Sequence, residues 1–272
     1  MEKIHEELFE EFPVDLTLSD LEWLLKSSDS RKSKKPWTEP KHYLYLRGCR
    51  EYCDAYTTDG HRMHLVGYGN HKNIPLHALS PVGIELEVVR AYAKLSKQHK
   101  ESLKFSLAYL DVNTEEKMRF AKMEMFGSKF LCSGYNGPNA FEVIPEKGME
   151  IIVYHEPFKQ ALSQFKSTLI KLEMQEDSDK LSIYPEYSTA GIDVRFIWKG
   201  DDSWDGKENF KVKLNLAYLM DAISMRETTE LSLVFQQIHK HQVTELSLDP
   251  VKVIQYDGDD FKKLIAVIMP SR

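Results

Sequence analysis

The sequence predicts an α+β chain of two domains, in which short helices pack on antiparallel strands. Three observations carry that expectation. The two halves repeat one order of signals: helix, strands, helix, strands. A stretch rich in Gly and Pro, residues 133–148, separates them and reads as a connector, placing the domains at 1–145 and 146–272. A chain of 272 residues, 42% of them hydrophobic and 11% aromatic, is long enough to bury two cores. The repetition is one of architecture, not of residue identity.

In the first half, Ser19 and Glu22 have capping-box spacing beside Leu18, Leu21, Leu24 and Leu25, which predicts a helix over Leu16 to Ser28. The polar, basic run 27–40 ends in prolines and reads as a loop. Short strands follow at Tyr43–Leu46, Asp54–Thr57 and Met63–Gly67, with turns at Arg47-Gly48 and Asp59-Gly60. Pro81 to Lys100 is expected to be a helix that places Ile84, Val88, Tyr92 and Leu95 on one side. Arg90, Lys94 and Lys97, at i, i+4 and i+7, form a basic stripe on another. Strands are expected at Leu103–Leu110, Met118–Met125 and Phe130–Cys132.

The second half opens on a helix near Pro157, with Phe158, Ala161, Leu162, Phe165, Leu169 and Leu172 as its apolar face and Lys159 and Lys166 on its polar one. Strands at Leu181–Ile183 and Gly191–Trp198 precede an acidic loop, 200–209. Leu216, Leu219, Met220 and Ile223 mark a short helix. The last strands are expected at Glu230–Phe235, Gln242–Leu248, Val251–Tyr256 and Leu264–Met269, the final one after a turn at Asp257-Gly258.

Composition excludes several classes. The 36 Lys+Arg against 42 Asp+Glu give a net charge of −6, the wrong sign for a globally basic nucleic-acid binder. Neither half is a basic module: residues 1–145 carry 20 basic and 21 acidic side chains, leaving 16 and 21 for 146–272. No apolar run approaches the ~20 residues of a membrane helix, and the acidic N-terminus is unlike a signal peptide, so a cytoplasmic location is expected. The three cysteines, Cys49, Cys53 and Cys132, suit a reducing compartment.

Four segments together carry a resemblance. Thr57-Thr58-Asp59-Gly60-His61-Arg62-Met63 resembles the TDGHRL turn in the middle domain of the bacterial DNA polymerase sliding clamp, the beta subunit of the replicative polymerase. Gly137 to Pro145 resembles that family's connector between its middle and last domains, and Tyr218-Leu219-Met220-Asp221-Ala222 is similar to its YLLDAL-like helix. Ala266-Val267-Ile268-Met269-Pro270-Ser271-Arg272 is similar to its terminal VVMPMR(L). Their order and spacing match the family's middle and last domains over most of residues 15–272. Departures are Met63 for Leu, Glu142 where a basic residue is common, Ser271 for Met and no final Leu.

The resemblance implies two clamp domains, each with two helices on antiparallel sheets, and no catalytic activity, metal or cofactor. It implies a processivity factor that encircles duplex DNA without reading its sequence and works with a clamp loader, in the cytoplasm at the nucleoid. Six domains are needed to close a ring around DNA, so a two-domain chain is expected to assemble as a homotrimer. Lys26, Arg90, Lys94, Lys97, Lys159 and Lys166 are expected to face the lumen. A groove at the domain junction is expected to bind peptides of the DNA polymerase and other replication or repair proteins. Its wall would comprise Thr58, Gly60, His61, Arg62, Met63, Pro138, Val143, Val267, Ile268, Met269, Pro270 and Arg272, with Tyr218 on the rim. The alternative is a non-encircling adaptor that keeps the groove and recruits or sequesters such proteins.

Other chemistries fare worse. Cys49, Cys53, His61 and His64 have no standard zinc spacing. Asp59 with His61 lacks a nucleophile or phosphate loop, and a turn aspartate accounts for it better. Asp257-Gly258-Asp259-Asp260 lacks the spacing of a calcium loop. Glu230 to Phe235 looks a little like a clamp-binding peptide, but an alternating strand explains it more simply.

Overall fold

The computed structural model describes residues 9–14, 16–28, 42–48, 53–68, 81–100, 104–111, 117–125, 128–133, 135–136, 144–145, 148–175, 178–199, 210–225, 228–235, 249–256 and 262–271. The chain divides into two compact units: Met1–Gly60 with Leu65–Ala140, and His61–His64 with Phe141–Arg272. Most of the expected connector, the strand expected at 242–248 and the acidic loop 200–209 lie outside the described residues.

The first unit opens with β1 (Phe9–Val14), a strand that the acidic N-terminal sequence concealed. It pairs antiparallel with β6 (Lys104–Asp111), followed by β7 (Lys117–Met125) and β8 (Ser128–Ser133). β1 lies at the edge of this sheet, a position that tolerates a proline such as Pro13. A second sheet runs β4 (Arg62–Tyr68), β3 (Cys53–Thr58), β2 (Tyr43–Gly48), β5 (Val82–Glu85) and β9 (Tyr135–Asn136).

The cap of helix α1 (Leu18–Lys26) lies two residues before the expected one. Thr17 holds an extended conformation, its Oγ1 accepts from Asp20 N at 3.1 Å, and Asp20 Oδ2 accepts from Thr17 N at 2.7 Å. Its inward residues Leu21, Trp23 and Leu24 are at most 1% exposed. At its end, Ser27 Oγ lies 3.0 Å from Thr57 O, and Thr57 Oγ1 donates to Leu24 O, pinning the helix to the end of β3.

The helix expected from Pro81 is a strand first. Val82 to Glu85 pair with β2, and α2 spans Leu86–His99. The buried side of α2 is Leu86, Val89, Ala93 and Ser96, one step round from the expected face; Val88 and Tyr92 are half-buried and Leu95 is 38% exposed. Counting the period from Ile84, which belongs to the strand, displaced the stripe. α1 packs on α2 and β3.

Arg47 and Gly48 are not a turn. They extend β2, and Arg47 stands opposite Asp54 with Nη2 2.8 Å from Asp54 Oδ2, both side chains nearly sealed from water. Two pairs further, Tyr45 and Tyr56 stack with centroids 5.0 Å apart. Burial pushes the Asp54 carboxyl up from 3.8 to about 6, the neighbouring guanidinium opposing it without prevailing, and burial likewise raises the Tyr56 hydroxyl.

The second unit repeats the order of elements. β10 (Met149–Tyr154), α3 (His155–Ser163), β11 (Leu169–Met174), β12 (Lys180–Pro185), β13 (Ile192–Trp198), β14 (Phe210–Asn215), α4 (Leu216–Ala222), β15 (Glu230–Phe235), β16 (Val251–Tyr256) and β17 (Lys262–Ile268) follow in turn. In each unit a strand and a helix precede four strands and a second helix, which four strands follow in the first unit and three in the second. The sheet order in the second is β14-β11-β12-β13-β10-β15-β16-β17. The α3 helix stops at Ser163, well short of the expected face. Leu172 fits a helical period from Phe158, but Ile170, Leu172 and Met174 alternate at period two and fill the core as a strand. Phe158, Leu162, Leu219, Leu233 and Phe235 are fully buried around it.

Asp54 binds a proton between pH 3.8 and about 6 when folded and releases it when unfolded, so stability should rise as pH falls through that window. In thermal melts, Asp54→Asn should flatten that stretch of the profile.

Candidate functional site

The TDGHRM segment folds as a strand end, a turn and a strand start. β3 ends at Thr58, whose Oγ1 accepts from Gly60 N at 3.1 Å, and Gly60 adopts φ +88°, a conformation that a side chain would strain. Thr58 is half-buried and Gly60 exposed, both in the first unit. His61 to His64 pack with the second unit, and there the candidate site assembles.

The main chain fixes its frame. Met269 N, just past β17, donates to His61 O at 2.9 Å, and two residues on, Ser271 N donates to Lys213 O at 2.8 Å on β14. Lys213 is itself held by Glu186, Nζ to Oε1 3.2 Å. The tail is therefore strapped on both sides rather than hanging free. Beside it, α4 starts at an Asn215 cap, whose Oδ1 accepts from Tyr218 N at 3.3 Å. Tyr218 and Asp221 are three residues apart and so share one face of the helix.

Arg62 lies across that face. Its Cζ is 4.3 Å from the centre of the Tyr218 ring, and its Nη1 is 2.5 Å from Asp221 Oδ2. The Arg62 side chain is 11% exposed and that of Asp221 36%. A guanidinium held on an aromatic face and by a carboxylate at its edge is fixed in orientation, which a lysine could not reproduce. The end of α4 is anchored too: buried His155, the first residue of α3, sets Nε2 2.6 Å from Ile223 O and Nδ1 3.1 Å from Thr228 O, and Gln255 donates to Ala222 O.

Of the residues expected to form the groove, His61 is exposed, Arg62, Tyr218, Met269 and Pro270 are half-buried, and Met63, Val267 and Ile268 are buried. The accessible surface therefore comes from the first five. Pro138, Val143 and Arg272 lie outside the described residues. Sequence reasoning missed Asp221 as the partner of Arg62 and Lys213 as the strap for the tail.

The expected DNA-facing cations fall into two groups. Lys26, Arg90, Lys94 and Lys97 belong to the first unit: Lys26, Lys94 and Lys97 are exposed, whereas half-buried Arg90 donates from Nη2 to Ser28 Oγ at 2.8 Å. Lys97 Nζ sits 3.2 Å from Glu22 of α1. In the second unit, Lys159 is on α3, 3.8 Å from Glu156, but Lys166 lies beyond the end of that helix, so the two do not form a helical stripe. Among the described residues no cluster of His, Cys, Asp or Glu is arranged to hold a metal ion; His61 is exposed while His64 is sealed in the interior, and Cys49 is not described. No described helix is long and apolar enough to cross a membrane.

No protein-family model matches the chain, and no curated protein matches its sequence. Solved structures do. A DNA polymerase sliding clamp from Pseudomonas aeruginosa, solved with a ligand, is similar over 100% of this chain and 68% of its own, at TM-score 0.62 and 17% identity. The pol III beta protein of Caulobacter crescentus gives TM-score 0.62 at 16% identity, covering 100% and 69%. The DNA polymerase III beta subunit of Thermotoga maritima gives 0.64 at 14% identity, covering 100% and 67%. The chain thus has the α+β sliding-clamp fold over its whole length and spans about two thirds of these proteins.

The Arg62–Asp221 pair should register in a double-mutant cycle. With Arg62→Met and Asp221→Asn, urea denaturation is expected to give a coupling of about 0.5–1 kcal/mol at low salt, shrinking as salt rises, because Asp221 is partly exposed.

Proposed function

We propose that this chain is a DNA sliding clamp, a non-enzymatic processivity factor that closes around duplex DNA as a homotrimer and binds partner peptides on the second unit. The observation that carries the reading is the clamp fold over the whole chain at two thirds of the neighbours' length. Each unit contributes two described helices. If helices line the hole at axis spacings of ~8–10 Å, twelve of them make a circle of axes roughly 31–38 Å across. Subtracting a helix diameter of ~10 Å leaves about 21–28 Å, room for duplex DNA; eight helices leave only about 10–15 Å. Three chains supply twelve.

Charge supports a sliding contact. The net charge of −6 disfavours wrapping of nucleic acid around the outside, while the exposed Lys26, Lys94 and Lys97, with Lys159 and Lys166 on the second unit, supply a small number of phosphate contacts. Base readout is not needed, because the proposed retention is topological.

The peptide site would take an extended segment bearing Leu or Phe anchors. Met269 gives an adaptable apolar contact, and the strapped tail and ordered Arg62 give a preformed surface that needs little rearrangement. DNA polymerase, other clamp-binding proteins and a clamp loader are the partners this surface suits.

Light scattering across a dilution series tests the ring. A species near three times 31.6 kDa, about 95 kDa, is expected, together with retention on closed circular DNA and loss from linear DNA; a persistent dimer overturns the trimer. A stable monomer that binds peptides but is not retained on circles favours the adaptor instead. Deleting Met269 to Arg272 should abolish capture of a Leu/Phe-bearing peptide in fluorescence anisotropy while leaving the mass unchanged. Retained affinity would remove the tail from the site.

A further inference from the structure

We propose that Asp221 is a specificity-determining residue of the peptide site: it neutralises Arg62 and turns the surface toward uncharged partner segments and away from acidic ones. The inference rests on the peptide-binding reading above and goes beyond it, since it assigns the charge that a partner segment carries.

The geometry points that way from three sides. Arg62 is 11% exposed and lies on the Tyr218 ring, so its charge sits at the edge of an apolar surface and is only partly hydrated. Left alone, such a guanidinium attracts any carboxylate that docks beside it, because a desolvated charge interacts through a lower effective dielectric than one in bulk water. Asp221 occupies that role from within the chain, with Oδ2 2.5 Å from Nη1. It is also the more exposed member at 36%, so its carboxylate is presented at the surface where a partner would approach. An incoming acidic side chain then meets a like charge before it reaches the cation.

The arrangement is also stiff. Tyr218 and Asp221 stand three residues apart on a helix capped by Asn215 at one end and held through Ile223 O by His155 at the other. The carboxylate therefore does not swing away cheaply to admit a rival. Apolar anchors on Met269 and Pro270 are indifferent to this pair, whereas acidic flanks are penalised; discrimination of this kind works by repulsion as much as by attraction.

The test uses the full chain and two short fluorescent peptides that share Leu and Phe anchors and differ only in carrying Asn or Asp beside them. The wild-type protein should bind the Asn peptide about five- to tenfold more tightly at low salt, a preference that fades as salt screens it. Asp221→Asn, which removes the carboxylate at the edge of Arg62, should reverse the order in favour of the Asp peptide. The double variant Arg62→Gln/Asp221→Asn should lose discrimination, and Asp221→Glu should keep it. Equal binding of both peptides by the wild type overturns the inference alone, as does an Asp221→Asn variant that weakens both alike. Binding of neither peptide by the wild type overturns the peptide-binding reading and this inference with it.

Discussion

The architecture depends on an exchange of strands within each unit. The strand before each helix joins the sheet of the other half, and β5 and β10 also pair with a strand that follows their own helix, β9 and β13. β1 pairs with β6 and β5 with β2 in the first unit, and β10 with β15 and β14 with β11 in the second. A lone triplet of strands would expose an edge and half a core. Lending the leading strand across supplies both a ladder partner and a row of buried side chains: Met149, Ile151 and Val153 from β10, Phe210, Val212 and Leu214 from β14. Neither half can fold far without the other, which makes the unit, and not the half, the cooperative element.

The exchange also fixes the helices. α3 begins directly at the end of β10 and α4 directly at the end of β14, so each helix inherits its position from a paired strand. That is why the carbonyls at the end of α4 can be met by His155 and Gln255 at hydrogen-bonding distance, and why the helix presents Tyr218 and Asp221 at a fixed angle to Arg62. The site is precise because it is built on strand ends and a capped helix rather than on a loop.

How far the sequence disclosed this depended on whether a segment obeyed a single period. Glu230–Phe235 and Val251–Tyr256 were legible to the residue because alternation and turn residues agreed. Leading strands were not: Phe9–Val14 hides behind acids and a proline, and Val82–Glu85 merges with the helix it feeds, so a helical count begun at Ile84 turned the buried face of α2. Leu169 and Leu172 satisfied both a helix and a strand, and only the pairing partner decides. Arg47 was misread because charge in a strand reads as a boundary, whereas here its partner Asp54 lies across the ladder, seven residues on. The candidate site was legible as motifs. Its central contact was not, because Arg62 and Asp221 are 159 residues apart and no local pattern links them.

The chain sorts its cations by how firmly each is held, and the sorting follows burial. Lys97 meets Glu22 at 3.2 Å with both side chains more than half exposed, and Lys159 meets Glu156 at 3.8 Å; such pairs are worth little and exchange readily. These lysines stay available to a polyanion that offers many competing charges at once. Arg47 and Arg62 are the reverse: each is drawn into a unit's interior or edge and held by a carboxylate, with an aromatic ring as a second support for Arg62. Weakly held cations suit transient contacts that must break as often as they form, and firmly held ones suit a surface that must keep its shape while partners come and go. On the proposed function, an acidic protein meets nucleic acid through a few loosely paired lysines and keeps a neutral face for peptides.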